Sequence, residues 1–374
     1  MLESPCLRAW RVSHPSEVCV VTFANYRDSP SDPVQDVPGF GEAFLDGQRI
    51  DAIHVAGNGN DWFQYPEMPE ALAAIRAAAG GRRLFTYGSS MGGYAAIRFA
   101  GALGAEGAIA ISPQYSLDRR VVPSERRWRR EAARLRFLPW PDPDPPGAVI
   151  FYDPCGPDGA HAGLWAAERP VALVPLPHAG HPAGMFLLQA GLLGPAVLDI
   201  LAGRFDRPAL LRAARARRRQ SGHYLAMLAG AQPPWRRRLA MRLLRAAMEA
   251  APLMTLYPSR LAGMLYRAGE DTEAEHWHRH ALALAPDDPA LLFRLSLFLQ
   301  RHGRLAEAGT LAAQASAWHP ASATLARHAT RLRRMQHALG PVRAALRGHN
   351  ALMHRLTRLA WRRGWPNLGR VEQP

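Results

Sequence analysis

The sequence predicts an α/β protein, a mostly parallel sheet with helices on both faces, followed by an all-α region of helical repeats. Three observations carry this. From residue 18 to about residue 203, apolar runs of strand length alternate with helix-length amphipathic segments, the pattern of a parallel sheet covered on both sides. At one junction, residues 84–94 (LFTYGSSMGGY), a β-rich run ends in Gly88-Ser89-Ser90-Met91-Gly92 and a helical pattern begins at once. Beyond residue 204 the strand signals stop, and Ala, Leu and Arg recur at helical spacing with an internal period of 34 residues. A chain of 374 residues, 48% hydrophobic, is long enough for two cores. The expected division is an α/β domain over 1–203, an arginine-rich helical connector or degenerate repeat over 204–252, and a repeat domain over 253–374.

Val18 to Phe23 (VCVVTF) reads as a buried strand, followed by the polar turn Ala24 to Ser29. Ile50 to Ala56 is a second strand, ending at Gly57-Asn58-Gly59-Asn60. Pro69 to Ala79 is an amphipathic helix with proline at its start and Gly80-Gly81 at its stop. Leu84 to Tyr87 is the strand before the serine, and Tyr94 to Leu103 carries apolar residues at helical spacing after it. Gly107 to Ile111, Ala148 to Tyr152 and Val171 to Leu176 are three more strands, with a helical segment at Ala160 to Ala167. In such sheets functional groups collect at the carboxyl ends of the strands.

The serine motif has a physical cause. Lifting a hydroxyl clear of the sheet requires the chain to turn from strand to helix within about one residue, in a strained backbone conformation. Glycine is then needed two positions before the serine and two after. Gly88 and Gly92 frame Ser90; around Ser89 the same frame would need glycines where Tyr87 and Met91 stand. A nucleophilic serine needs a base, and the base needs a carboxylate. His178 and His181 follow the last strand, and the glycine-flanked His181, on the loop proper, is the preferred base; His178 sits closer to the strand, as a packed structural histidine would. Asp153 ends the strand AVIFY, where an aspartate often caps a turn. Asp158 lies five residues on, with more reach, and is the preferred acid, Asp153 the alternative. One oxyanion donor is the Met91 amide; the second is expected from the loop after VCVVTF, at Ala24 or Asn25.

Motif, strand order, and a late acid and histidine together make residues 18–203 resemble the α/β-hydrolase family, with Ser90, Asp158 and His181 matching its nucleophile, acid and base in chain order. The resemblance implies hydrolysis or transfer of acyl groups through an acyl-serine, without a cofactor and without a metal. The glycine run or His-Gly pair that many lipases carry after the early strand is absent here. The fold implies little about substrate; a glycan or metabolite ester is the expectation. Ser112 to Gly147 is a candidate cap, with Tyr115, the arginine-rich run Glu125 to Arg130 on a helix-like stretch, and the rigid Pro139 to Pro146. Its arginines would hold an anionic or polyhydroxylated substrate, with Trp128 available for stacking. Trp62, Phe63 and Tyr65 line the same pocket or fill the core.

In the rear region Pro252, Pro286 and Pro320 are each 34 residues apart, as are Gly269 and Gly303. This is the period of the tetratricopeptide repeat, which residues 253–320 resemble; 219–252 and 321–354 are degenerate copies. Ala274 and Ala308, then Ala281 and Ala315, stand where paired helices cross closely, and Leu292 replaces the usual tryptophan. Stacked units of this kind bind protein partners, or serve a structural role that leaves the oligomeric state open.

All 46 basic residues are arginine, which points partly to a GC-rich genome. The charge is nevertheless uneven: residues 1–202 hold 17 Arg against 21 Asp and Glu, and 203–374 hold 29 against 10. No nucleic-acid-binding signature accompanies the basic half, so nucleic acid is not expected as a partner. Arg362-Arg363 beside Trp361 and Trp365 suggests a weak peripheral membrane contact. With neither an apolar leader near the start nor a bilayer-length run, the expectation is a cytoplasmic protein. Cys6, Cys19 and Cys155, an odd set without metal-site spacing, fit reduced thiols. A second reading is a scaffold, its hydrolase-like domain no longer catalytic and its repeats binding a protein.

Overall fold

The computed structural model describes residues 2–27, 37–140, 142, 144–337 and, beyond these, 348, 352, 355, 356, 358 and 359. Asp28 and Ser29, Pro141 and Pro143, and the Trp361 to Trp365 stretch lie outside the described residues. The chain divides into two compact units between Tyr224 and Leu225. That division falls inside the stretch 204–252, so the first unit continues past residue 203.

The first unit is built on one eight-stranded sheet. Its strands are β1 (Leu2–Glu3), β2 (Leu7–Val12), β3 (Val18–Phe23), β4 (Asp51–Gly57), β5 (Arg83–Ser89), β6 (Gly107–Ile111), β7 (Ala148–Tyr152) and β8 (Val171–Pro175). They run in the order β1-β2-β4-β3-β5-β6-β7-β8. The strands from β3 onward pair in parallel, whereas β1 and β2 extend the β4 edge antiparallel. The central parallel strands β3 to β6 are buried along most of their length, which is why they read as continuous apolar runs, whereas β8 is mostly half-buried. The helices are α1 (Glu42–Gly47), α2 (Met68–Ala79), α3 (Met91–Arg98), α4 (Ala100–Leu103), α5 (Arg129–Arg134), α6 (Asp158–Glu168), α7 (Gly184–Gln189), α8 (Leu193–Leu201) and α9 (Arg207–Arg217). The divide between the units lies within α10 (Gly222–Gly230).

Three expectations change here. Strands β1 and β2 and helix α1 precede or interrupt the predicted series. The arginine-rich run does not start a helix at Glu125, since α5 begins only at Arg129. Trp62 and Phe63 are wholly buried and Tyr65 nearly so, with Phe63 edge-on to Phe23, so Phe63 and Tyr65 belong to the core.

The second unit contains α11 (Arg237–Ala250), α12 (Leu256–Ala268), α13 (Asp271–Leu284), α14 (Pro289–Arg301), α15 (Leu305–Trp318) and α16 (Ala323–His337). Two helical pairs, α12 with α13 and α14 with α15, repeat at the 34-residue period. Gly269 and Gly303 make the turn inside each pair with φ of 95° and 76°, a left-handed conformation that favours glycine. Ala274, Ala281, Ala308 and Ala315 are all buried, as expected where two helices approach closely. Leu292, at the position of the missing tryptophan, is buried as well. The unit is thus a series of antiparallel helical pairs with the repeat length expected from the sequence.

Candidate active site

Strand β5 ends at Ser89 and helix α3 begins at Met91, so one residue makes the whole turn. Ser90 does so with φ 53° and ψ −117°, a backbone region that residues with a side chain rarely adopt. Its amide donates to the Ile111 carbonyl at 2.8 Å and its carbonyl accepts from the Tyr94 amide at 3.0 Å, which anchors the turn from both sides. The two framing glycines are required by contact. A Cβ on Gly88 would lie 2.2 Å from the Gly92 carbonyl oxygen, and one on Gly92 would lie 2.2 Å from the Phe23 carbonyl oxygen.

Ser90 Oγ lies 2.9 Å from His181 Nε2. His181 Nδ1 lies 2.8 Å from Asp158 Oδ2. Because Nδ1 faces a carboxylate, the neutral ring carries its proton there, which leaves Nε2 to accept from the serine hydroxyl. Asp158 is the first residue of α6 and not part of the preceding loop. The alternative carboxylate, Asp153, accepts from the backbone amides of Cys155, His178 and Gly180 at 2.9, 3.1 and 2.8 Å, and so holds together the turn that carries His181. His178, with φ 62°, is half-buried in that same turn.

Two layers of side chains support this relay. Arg127 Nη2 donates to the other oxygen of Asp158 at 2.7 Å and to Glu125 Oε2 at 2.6 Å. Glu125 in turn accepts from His161 Nε2 at 3.0 Å, and His161 Nδ1 accepts from the Tyr115 amide at 2.9 Å. Burial opposes ionisation of both carboxyls. For Asp158 the bond to His181 and the Arg127 guanidinium outweigh it and hold the carboxyl below its ordinary value. For Glu125 the bonds from His161 and Arg127 bring it down to about 2.

Gln114 is the residue that sequence reasoning missed. It is fully buried, and Trp62 Nε1, which can only donate, points at its Oε1 at 3.2 Å. The amide is thereby oriented, with Nε2 directed at Ser90 Oγ at 3.1 Å and at the Ser112 carbonyl at 3.2 Å. Its only sequence signal was its position shortly after strand β6. Of the expected oxyanion donors, Met91 opens α3, where an amide has no helical acceptor. The Ala24 amide instead donates to the Val55 carbonyl at 2.9 Å and is not available; the exposed Asn25 follows it.

Of the three residues expected to line the pocket, Trp128 sets its ring edge-on to His181 and to Trp62, at centroid distances of 5.4 and 5.6 Å. Trp62 lies beneath it as a buried wall bonded to Gln114. Tyr115 packs its ring against Trp165 of α6, at 5.0 Å, and not against the relay.

No protein-family model and no curated protein matches the chain. Among solved structures, similarity is found to PilF of Pseudomonas aeruginosa, 18% identical with a TM-score of 0.31, covering 48% of this chain and 87% of that one. The capsule O-acetyltransferase of Neisseria meningitidis serogroup A is 11% identical with a TM-score of 0.36, covering 54% and 93%. XC6422 of Xanthomonas campestris, described as an α/β serine hydrolase without lid, is 16% identical with a TM-score of 0.29, covering 56% and 88%. It is the chain's own sheet order and 34-residue helical pairs that resemble an α/β hydrolase followed by tetratricopeptide-like repeats. With identities of 11% to 18% and TM-scores below 0.5, these matches carry no argument about this chain's fold or activity. No described helix is long and apolar enough to cross a membrane.

Proposed function

We propose that this protein is a serine esterase or acyltransferase working through an acyl-serine on Ser90, on an ester of a glycan or metabolite. The observation that carries the reading is the unbroken hydrogen-bonded series Ser90 Oγ, His181, Asp158, with the serine held at a strained strand-to-helix turn. Ser90 Oγ attacks the ester carbonyl carbon while its proton passes to His181 Nε2. The Met91 amide and Gln114 Nε2 receive the developing oxyanion, with the Asn25 amide the remaining main-chain candidate. His181 then hands the proton to the departing alkoxide. Water or an acceptor alcohol, deprotonated by the same imidazole, releases the acyl group and restores the serine. Asp158 fixes the ring and stabilises the imidazolium, and the segment 112–147 acts as the cover that brings Arg127 and Trp128 to the relay. The domain over 1–203, extended through α9, is the catalytic part, and the repeats of the second unit bind a protein partner.

A fluorophosphonate probe tests this directly. The full chain is expected to be labelled at Ser90 within minutes, Ser90→Ala not at all, and His181→Gln at least about a hundredfold more slowly, in keeping with loss of a general base. Well-folded protein that resists the probe would favour a non-catalytic scaffold.

A further inference from the structure

Residues 1–202 are mildly acidic overall, yet 8 of their 17 arginines fall within 112–147. A compositional bias of the genome would spread them evenly. The same segment forms an open cavity of about 660 Å³, within the range of small-molecule sites, lined among others by Ser116 and Trp128 and by the exposed Arg119, Arg126, Arg129 and Arg136. Its acidic groups are already engaged: Asp118 by Arg120, Glu125 by Arg127, and nearby Asp61 by Arg134. Among the described residues no carboxylate pairs with Arg119, Arg126, Arg129 or Arg136. Four guanidiniums line this one cavity, and each offers a planar fork matched to phosphate or carboxylate oxygens. Trp128 is a wall common to cavity and relay, since it lines the first and its ring meets His181 of the second.

We infer that this cavity is an anion-binding subsite, and, resting on the reading of Ser90 given above, that the substrate is an ester whose alcohol part carries a phosphate or carboxylate group. The arginines hold the anionic group while the ester lies across Trp128 towards Ser90. A neutral lipid or simple aryl ester would leave them unmatched.

Two measurements on the full chain separate this inference from the catalytic reading. In the first, glucose 6-phosphate, glucuronate and glucose are titrated calorimetrically into Ser90→Ala. At least one of the two anions is expected to bind and glucose not to. Affinity should fall at least tenfold in Arg126→Ala/Arg129→Ala and with added salt, but not in Arg130→Ala, a control in the same helix as Arg129 that does not line the cavity. Whichever anion binds identifies phosphate or carboxylate as the group recognised. In the second, acetyl esters of the same three sugars are compared as substrates, and the anionic ester is expected to exceed the neutral one at least tenfold in kcat/KM. Absence of anion binding, an equal loss in Arg130→Ala, or tighter arginine-dependent binding of a DNA oligonucleotide in the same titration overturns the inference. Anion binding in a protein that the fluorophosphonate fails to label keeps the subsite and removes the catalytic reading instead.

Discussion

Gln114 and Arg127 reach the relay from the same segment and do different work on it. Gln114 offers a donor hydrogen beside Ser90, pinned by Trp62 and by the Ser112 carbonyl, so its reorganisation is small when charge develops. Gln114→Ala is therefore expected to lower kcat about a hundredfold on p-nitrophenyl acetate with little change in KM. Gln114→Glu, which keeps the acceptor for Trp62 but has no donor when ionised, should fall as far; a merely structural glutamine would move KM and stability and leave kcat near wild type. Arg127 bridges two buried carboxylates, and both titrate below their ordinary values. Depressed carboxyls stabilise the fold above the unfolded-state pKa and lose that contribution as pH falls through the folded one. Arg127→Gln should accordingly destabilise by about 3 kcal/mol at neutral pH, measured from urea midpoints. The difference should shrink between about pH 4.5 and pH 2, as the carboxyls take up protons in both proteins. Ser90 and His181 were legible because each depends on local signals, a glycine frame and a glycine-flanked loop after a late strand. Asp158 was legible by chain order and reach, although its place on a helix was not. Gln114 and Arg127 depend on where a long connection folds back, which no local spacing encodes.

At the scale of elements, the junction of β5 and α3 works only because both flanking positions lack a side chain. At Gly92 the opposing atoms belong to the backbone of β3 and the residue after it, which cannot turn aside as a flexible side chain would. Gly92→Ala should therefore cost about 3 kcal/mol, seen as a drop of roughly 6–12 °C in the melting temperature of the first unit, whereas alanine at Gly163, which has open space around it, should leave the melt unchanged to within about 2 °C. The parallel strands β3 to β6 announced themselves because both faces are covered, making each a continuous apolar run. β2 was harder to see. Leu7 and Ala9 face inward while Arg8 and Trp10 stay half-exposed, and Arg11 pairs with Asp51 across the sheet. A short alternating strand with two arginines resembles a polar surface segment until its partner strand is known. The departure at Ala24 has a related cause: its amide prolongs the pairing of β3 with β4 by one bond beyond the predicted strand end, and the loop expected to supply a donor begins one residue later.

Across the whole molecule, the two units have separate cores. One is the large cluster beneath and above the sheet, and the other includes Leu292, Phe293, Ala315 and Leu325 among the repeat helices. Each buries its own apolar surface, so each should unfold as its own cooperative transition in calorimetry. The repeat alanines provide a way to assign them. Ala308 is fully buried where α15 meets α14, and its carbonyl accepts from the Ser296 hydroxyl at 2.7 Å, which fixes the two helices at short range. Leucine there has no room and must push the pair apart. Ala308→Leu is expected to destabilise only the transition of the second unit, by about 2 kcal/mol, while fluorophosphonate labelling of Ser90 proceeds at the wild-type rate. A single transition shifted as a whole, or a labelling rate that falls with it, would mean that the repeats and the serine site share one cooperative structure, and that the repeat region supports the reacting groups as well as any partner it carries.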